Sequence, residues 1–272
     1  MSRVVGCRFG PVKLATWNIN SVRAREKRLV AWLAKADPDV VCLQETKTED
    51  PGFPVDALKA AGYDVVLFGQ KSYNGVAIAS KSPMTDVTRG FDDGEPDDEA
   101  RVIAATIGGI RVIDVYVPNG QELASEKYVY KLAWYRRLRR YLDKTASATT
   151  PLVLCGDFNV TRDDLDVWAP EQWTGKIHCS AAERAALEEM LAFGLVDVFR
   201  TNNPTGKIYS WWDYRGVSFF KNQGLRIDFI FATEPVAARI TAVVIDRDAR
   251  KGQDASDHAP VAADIGFPLV DC

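Results

Sequence analysis

Short apolar runs alternate with polar or amphipathic stretches along most of the chain. Apolar runs of roughly 4–8 residues bounded by turn residues are typical of buried strands. The segments that fit are VKLATWNI, PDVVCLQE, YDVVLFG, GVAIASK, PLVLCGDFNV, LRIDFIFA, ITAVVI and APVAADI. Two further runs, ARVIAATI and IRVIDVYVP, predict a hairpin because Gly108 and Gly109 lie between them.

Three stretches between these runs have the apolar spacing of helices. REKRLVAWLAKA stops before Asp37-Pro38, residues 125–144 carry an apolar stripe, and AAERAALEEMLAFG closes on Gly194. There is no repeat and no low-complexity linker, so the pattern predicts one α/β domain. On its own, such alternation is typical of a doubly wound sheet.

Composition is that of a globular protein with a sizeable core, since 47% of residues are hydrophobic and 26% are charged. We expect no membrane span, because no run of about 18 apolar residues occurs. The first dozen residues are too polar for a signal peptide. Five widely spaced cysteines without a Cys-x-x-Cys pair indicate a reducing compartment, and we expect a cytoplasmic protein. The net charge of −3 decides little about nucleic acid, because local basic patches do the binding.

Carboxylates and amides follow several of the predicted strands. An Asp or Asn at a strand end is ordinary turn chemistry, so each residue alone is read more simply as structural. Asp228 differs, because it lies inside the apolar run LRIDFIFA, where an unpaired charge is costly. Taken together, they indicate a chemical site, since ligands of α/β proteins gather at strand ends. The residues concerned are Asn18, Glu45, Asp157, Asn159, Asp228, Asp257 and His258.

The residue types in this set favour a hard divalent cation. Carboxylate and amide oxygens with one histidine suit Mg²⁺ or Mn²⁺. The sequence has no zinc-type Cys/His cluster, no Gly-x-Ser-x-Gly elbow and no Gly-rich Walker loop. Such an ion stabilises charge in phosphoryl transfer, and acid–base residues contribute roughly 10²–10⁴-fold. Phosphodiester hydrolysis is the reaction that fits best.

Eight short motifs, in order along the chain, carry a family resemblance. The segments are KLATWNINSVRAR, VVCLQETK, YNGVAIASK, YVPNG, GDFNV, YSWWDYR, GLRIDFI and SDHAPV. They resemble exonuclease III and the related apurinic/apyrimidinic endonucleases, a branch of the endonuclease/exonuclease/phosphatase superfamily. The resemblance implies a four-layer α/β sandwich, two packed mixed β-sheets flanked by helices. Residues 13–272 would form a single catalytic domain, with residues 1–12 as an N-terminal extension.

The resemblance also implies a metal site. Glu45 would be the principal metal-binding carboxylate, and Asp157 would orient or deprotonate the attacking water. Asn159 would hold that water or the phosphate, and Asn18 would support Asp157 and the metal. The implied metal-site residues are Glu45, Asp257, Asn18, Asp157 and Asn159, with Mg²⁺ as cofactor and Mn²⁺ as a substitute. Asn20, where some relatives carry Asp, leaves a second metal open.

The same resemblance implies contacts to the scissile phosphate. Tyr116 of YVPNG would contact this phosphate directly. Asp228 would bond to the ring of His258 and fix its orientation. His258 would then contact the phosphate, either as a positive group or as a proton acceptor, and both alternatives stay open. The second histidine, His178, has no obvious partner carboxylate in the sequence and is read as structural.

DNA contacts are implied mainly for the loop YSWWDYRGVSFFKNQGLR. Trp211, with Leu225 and Ile227, would line a pocket for a flipped-out baseless sugar. Aromatic residues and cations of this loop would enter the minor groove, although Trp212 is read equally well as core. Asn119 would reach into the gap left in the duplex. The cations expected at DNA are Arg215 and Lys221 in the loop, and Arg101 and Lys131 at phosphates.

Three functions are consistent with these features. The first is a Mg²⁺-dependent enzyme that incises DNA 5′ to abasic sites, with 3′→5′ exonuclease and 3′-end-trimming activity. The second is another phosphoesterase of the superfamily, and the third is a non-catalytic nucleic-acid-binding regulator on the same fold. For the first function the partner is double-stranded DNA with abasic sites or 3′ ends. We expect a monomer.

Overall fold

The computed structural model describes residues 12–96 and 99–266. Its strands are β1 (Val12–Asn18), β2 (Val40–Gln44), β3 (Asp64–Phe68), β4 (Val76–Ser80), β5 (Met84–Arg89), β6 (Val102–Ile107), β7 (Ile110–Tyr116), β8 (Leu152–Asp157), β9 (Leu195–Asp197), β10 (Asp228–Thr233), β11 (Ile240–Ile245) and β12 (Val261–Ile265). Its α-helices are α1 (Val22–Ala36), α2 (Val55–Ala60), α3 (Glu126–Thr145), α4 (Pro170–Trp173), α5 (Ala181–Leu191), α6 (Val198–Asn202) and α7 (Glu234–Ala237). Of the predicted extension 1–12, only Val12 lies within the described residues, and it begins β1.

The strands form two sheets of six strands each. Their orders are β11-β12-β1-β2-β4-β3 and β5-β6-β7-β8-β10-β9. Each sheet has a parallel pair near its centre, β1 with β2 and β7 with β8, and the neighbouring pairs are antiparallel. Both sheets are therefore mixed, and the doubly wound alternative is excluded.

Three apolar clusters arrange the layers. One lies between the sheets and combines residues such as Leu14 and Ile78 with Val153 and Ile230. A second packs α3 and α5 on the outer face of the β5–β10 sheet, and a third packs α1 on the outer face of the other sheet. The order is helix, sheet, sheet, helix. The predicted four-layer sandwich is confirmed.

Local signals account for several boundaries. Helix α3 begins after Ser125, whose side chain accepts the amide hydrogen of Tyr128, as an N-cap should. Gly108 and Gly109 both have positive φ, and the hairpin joining β6 to β7 turns there. Helix α1 begins three residues earlier than REKRLVAWLAKA predicts, with a non-helical φ of −119° at Arg25.

Some elements carry no apolar run and were not predicted. Strand β5 is an edge strand whose residues are exposed or half-buried, and β9 has three residues. Cys42, Cys155 and Cys179 are buried free thiols, while Cys7 and Cys272 lie outside the described residues. Across the described ranges, no helix combines the length and the apolar character needed to cross a membrane.

Candidate active site

The ends of strands from both sheets meet at one end of the sandwich. Asn18 ends β1 and Asp157 ends β8, and Glu45 directly follows β2. The amide nitrogen of Asn18 donates to Glu45 Oε1 at 2.8 Å and to Asp157 Oδ2 at 2.9 Å. The Asn18 amide therefore connects the two sheets, because Glu45 follows β2 and Asp157 ends β8 in the other sheet. Three of the predicted site residues are thus in contact.

The turn after β8 holds Asp157 and Asn159 in a fixed relation. The backbone N–H of Asn159 donates to Asp157 Oδ1 at 2.9 Å, and its side-chain amide donates to the carbonyl of Val117 at 2.9 Å. Asn159 has a φ of 52°, in the left-handed region. Gly156 precedes the turn with a φ of 141°, and a Cβ there would lie 1.9 Å from the carbonyl oxygen of Val115. Only glycine fits this position.

His258 is braced by Asp228, as predicted. The ring Nδ1 lies 2.9 Å from Asp228 Oδ2, and Nε2 lies 3.8 Å from Asp157 Oδ2. Burial alone would lower the pKa of His258, but the carboxylates of Asp228 and Asp157 raise this pKa to about 10. The imidazole is therefore a buried cation at neutral pH, with Nε2–H turned toward the site.

Burial shifts the pKa of Asp157 in the direction that a general base requires. It raises this pKa to about 7, against the lowering effect of the positive His258. Tyr116, at the end of β7, is buried, and its hydroxyl pairs with Glu45. Burial together with the charge of Glu45 raises the pKa of Tyr116 well above its usual value, so the phenol stays a hydrogen-bond donor.

Glu45, Asp157 and His258 each offer one ligand atom, and these atoms lie within 4.8 Å of one another. The donor set fits a hard cation, because Glu45 is half-buried and reachable and both carboxylates supply oxygen atoms. His258 fits less well as a ligand, since its raised pKa keeps the ring protonated. Glu45 and Asp157 are thus the residues that could hold an ion.

Asp257 lies beside this cluster but is bound to other groups. Its two oxygens accept hydrogen bonds from Asn20 Nδ2 at 2.9 Å and from Trp211 Nε1 at 3.0 Å. Asn20 also accepts from Lys47 Nζ at 2.6 Å, and Lys47 pairs with Glu45 at 2.7 Å. A chain of polar contacts therefore leads from the Glu45 carboxylate to Trp211. The place of Asp257 in a metal shell stays a prediction.

The residues predicted to line a sugar pocket belong to one packed apolar cluster. Leu225 is 0% exposed and Ile227 is 2% exposed, and both pack with Trp211 and Val167. Trp211 bridges to Leu225 and to His258 along the backbone. The cluster thus adjoins His258, and its role as a sugar pocket stays a prediction.

His178 belongs to this region as well. Its ring lies 6.4 Å from that of Trp211, and its Nδ1 donates to the carbonyl of Asn159 at 2.6 Å. Nε2 lies 3.5 Å from the side-chain amide of Asn119. Burial lowers the pKa of His178 to about 4, so the ring is neutral. These contacts could not be read from the sequence, because Trp211, Asn159 and Asn119 are all far from His178 along the chain.

A cleft of about 690 Å³ opens beside Tyr116. Asn119 and Arg101 line it, together with Tyr73, Lys127 and Tyr130. The guanidinium of Arg101 lies over the Tyr116 ring, 4.6 Å from the ring centroid, and pairs with Glu99. Asn119 is exposed and donates to Asn159 Oδ1 at 3.2 Å. Both residues line this cleft next to the site, and their contact with DNA stays a prediction.

Lys131 is placed differently from its prediction. The side chain is 0% exposed, and its ammonium pairs with the buried carboxylate of Glu183. Its other donors go to the backbone carbonyls of Asn119 and Asn159. The prediction that Lys131 contacts a DNA phosphate is wrong, because no ammonium hydrogen reaches the surface.

The cations of the 209–226 loop divide into two kinds. Arg215 and Lys221 are exposed, next to Phe220, whose side chain is 84% exposed. Arg226 is instead fully buried and pairs with Asp166 and Asp197. The exposed tip can meet a ligand, whereas Arg226 anchors the base of the loop. Trp212 is 0% exposed and belongs to the core.

Comparisons with known proteins agree with this geometry. The chain is 37% identical over 266 residues to exodeoxyribonuclease III of Haemophilus influenzae, covering 93% of this chain and 100% of the relative. It is 34% identical over 255 residues to an exodeoxyribonuclease of Bacillus subtilis, covering 92% and 98%. These relatives confirm the resemblance to the exonuclease III branch.

Solved structures share the whole fold. An AP endonuclease from Archaeoglobus fulgidus superposes with a TM-score of 0.92 at 41% identity, covering 94% of this chain and 100% of that one. The 3′ phosphatase NExo from Neisseria, bound to a product DNA hairpin, gives 0.91 at 42% identity with the same coverage. The pattern of the Endonuclease/Exonuclease/phosphatase family matches residues 15–258. The chain therefore belongs to the endonuclease/exonuclease/phosphatase family.

Proposed function

We propose that this chain is a DNA-repair phosphodiesterase that depends on a divalent cation, Mg²⁺ in the first instance. It incises duplex DNA 5′ to abasic sites and trims blocked 3′ ends. One observation carries the proposal: Glu45, Asp157 and His258 come from three distant segments, yet their ligand atoms lie within 4.8 Å of one another. The two carboxylates supply the oxygen ligands that a hard cation prefers, and a protonated imidazole beside them suits a phosphate.

Glu45 and Asp157 would hold the ion, with Asn18 fixing both carboxylates from one amide. When bound, a divalent cation neutralises charge on the phosphate oxygens and on the leaving oxygen. The proton transfer and the positioning of water and phosphate are carried out by side chains of the protein. Asp157 accepts a proton from the attacking water, which its pKa of about 7 permits near neutral pH.

Water attacks phosphorus, forming one P–O bond while the bond to the leaving 3′ oxygen breaks. Asn159 is held beside Asp157 and positions the water or the phosphate. His258, protonated and braced by Asp228, stabilises the growing negative charge on the phosphate. Of the two alternatives for His258, the raised pKa favours the electrostatic one. Tyr116 would turn its hydroxyl from Glu45 to donate to the same phosphate.

The packed sugar pocket favours a second candidate function, in which 3′-end trimming dominates. His178, Leu225 and Ile227 are 6%, 0% and 2% exposed, so little of their surface is open to an abasic sugar. A 3′-terminal phosphate needs no flipped sugar and reaches the carboxylates directly. This candidate agrees with the similarity to a Neisseria 3′ phosphatase and 3′–5′ exonuclease.

One assay separates these functions. Matched duplexes carrying one internal abasic analogue, one 3′-phosphate end or no lesion are incubated with Mg²⁺ and then with EDTA. The leading proposal predicts a metal-dependent nick 5′ to the analogue, and the second predicts faster release of phosphate from the 3′ end. A chain that binds duplex without cutting any substrate is a regulator. Cleavage of inositol phosphates alone indicates another phosphoesterase of the family.

A further inference from the structure

Side chains of helix α3 donate hydrogen bonds to the turn that carries Asn159. Lys131 of α3 donates to the carbonyl of Asn159 at 2.6 Å, and Tyr135, one turn later, donates its hydroxyl to the carbonyl of Phe158 at 2.6 Å. Both side chains are buried. Residues four apart on a helix share a face, so α3 binds two consecutive carbonyls of the turn.

Lys131 also reaches the neighbouring segment. Its ammonium donates to the carbonyl of Asn119 at 3.1 Å and pairs with Glu183. An ammonium has three hydrogens, and these three acceptors use all of them. Glu183 in turn accepts the backbone N–H groups of His178 and Ser180 at 3.1 Å, closing the capping box of α5. One buried ion pair thus ties together four chain segments.

The segments it joins are those that present the site amides. Asn119 and Asn159 bond to each other through their side chains, and Asn159 is adjacent to Asp157. Asn159 also has a left-handed φ of 52°, a conformation that non-glycine residues keep only when surrounding contacts impose it. A lysine cannot be buried here for packing alone, because an apolar side chain would cost far less desolvation.

We propose that Lys131, paired with Glu183 and assisted by Tyr135, is a positioning residue for the phosphodiesterase reaction. It sets the backbone of Asn119 and Asn159 so that their amides meet the water and the phosphate. This inference rests on the proposed function for its catalytic consequence. The structural consequence, a turn held rigid by α3, is measurable without any substrate.

The substrate-free arm measures backbone hydrogen exchange in peptides covering residues 157–160. The variant is the double change Lys131→Met and Glu183→Gln, which removes both charges and leaves neither buried ion unpaired. We expect exchange at least about tenfold faster there than in the wild type. Arg137→Met is the matched control, because it breaks an ion pair of the same helix with Asp93, and it should exchange like the wild type.

The catalytic arm uses the duplex on which the wild type is most active. A misplaced Asn159 should lower kcat about 10–100-fold and leave KM within about threefold. In an Asn119→Ala/Asn159→Ala background, the same double change should lower kcat less than about twofold, because both side chains through which Lys131 acts are gone. Equal losses in both backgrounds would overturn the inference.

Tyr135→Phe removes only the hydroxyl that bonds to the carbonyl of Phe158, and it replaces the double variant in both arms if that variant does not fold. It should accelerate exchange in the same peptides and lower kcat a few-fold. Unchanged exchange in the variant that folds would overturn the inference. A wild type that cleaves no DNA would instead remove the proposed function, and the exchange arm would still decide whether Lys131 holds the turn.

Discussion

Asp228 and His258 lie 30 residues apart, yet the carboxylate of Asp228 lies 2.9 Å from Nδ1 of the His258 ring. This contact explains how a charged residue can begin the buried strand β10, because the imidazolium supplies the partner that a lone carboxylate would lack. It also orients Nε2 toward Asp157 at 3.8 Å. The contact therefore gives the buried Asp228 carboxylate a partner, and it places the positive charge of His258 in the site.

Replacing Asp157 should separate catalysis from stability. Asp157→Asn should lower kcat at least about 10³-fold, because the amide cannot take the proton of the attacking water. Burial raises the pKa of Asp157, so the folded state disfavours its charge, and the variant should melt at the same temperature or higher. Single-turnover rates and thermal unfolding measure the two effects. A near-wild-type rate would contradict the proton-accepting role.

The pH dependence of kcat/KM should be bell-shaped. Asp157 must be deprotonated, so activity should rise as pH passes about 7, and His258 must be protonated, so activity should fall as pH passes about 10. Asp228→Asn removes the main charge that raises the pKa of His258, and the basic limb should move to lower pH by about one unit or more. The exposed Asp56→Asn should leave both limbs in place. An unmoved basic limb in Asp228→Asn would rule out this role.

Opening the sugar pocket should shift the choice of substrate. His178→Ala removes a ring that packs near Trp211, and we expect the ratio of abasic incision to 3′-phosphate release to rise about tenfold. Parallel kcat/KM measurements on the two duplexes give this ratio, which cancels any general loss of stability. Trp211→Ala removes a wall of the same pocket and should lower the ratio. A ratio that moves with neither substitution would assign both residues to packing.

The base of the 209–226 loop should depend on a buried ion network. Arg226→Met leaves Asp166 and Asp197 without their shared partner, and we expect a loss of about 3–5 kcal/mol in the free energy of unfolding. Denaturant titration measures this loss. Arg139→Met, which breaks a partly exposed pair with Asp143, should cost less than about 1 kcal/mol. Similar losses in the two variants would mean that Arg226 contributes little to stability.

Sequence patterns could predict the strands whose interiors are apolar on both faces. β1, β2, β8 and β10 are buried at nearly every residue, and their runs were visible without a structure. Strand β5 was not, because its exposed and half-buried residues show no apolar run. The pairing of the two sheets depends on contacts between distant segments, and only the family resemblance supplied it.

The same distinction holds in the site. The set containing Glu45, Asp157 and His258 was visible because polar residues stand at the ends of apolar runs. The burial of Lys131 was not, since it depends on Glu183, which lies 52 residues away. A lysine on an amphipathic helix is ordinarily exposed, and that expectation produced the wrong prediction. The neighbourhood of His178 was hidden for the same reason.

The central claim is that Glu45 and Asp157 close around one divalent cation facing the imidazolium of His258. Anomalous diffraction from a crystal soaked in Mn²⁺ tests it most directly. The account predicts one strong peak within about 2.5 Å of a Glu45 carboxylate oxygen, on the side facing Asp157, and loss of that peak in Glu45→Gln. A peak elsewhere with none at Glu45, or no peak at saturating Mn²⁺, would contradict it.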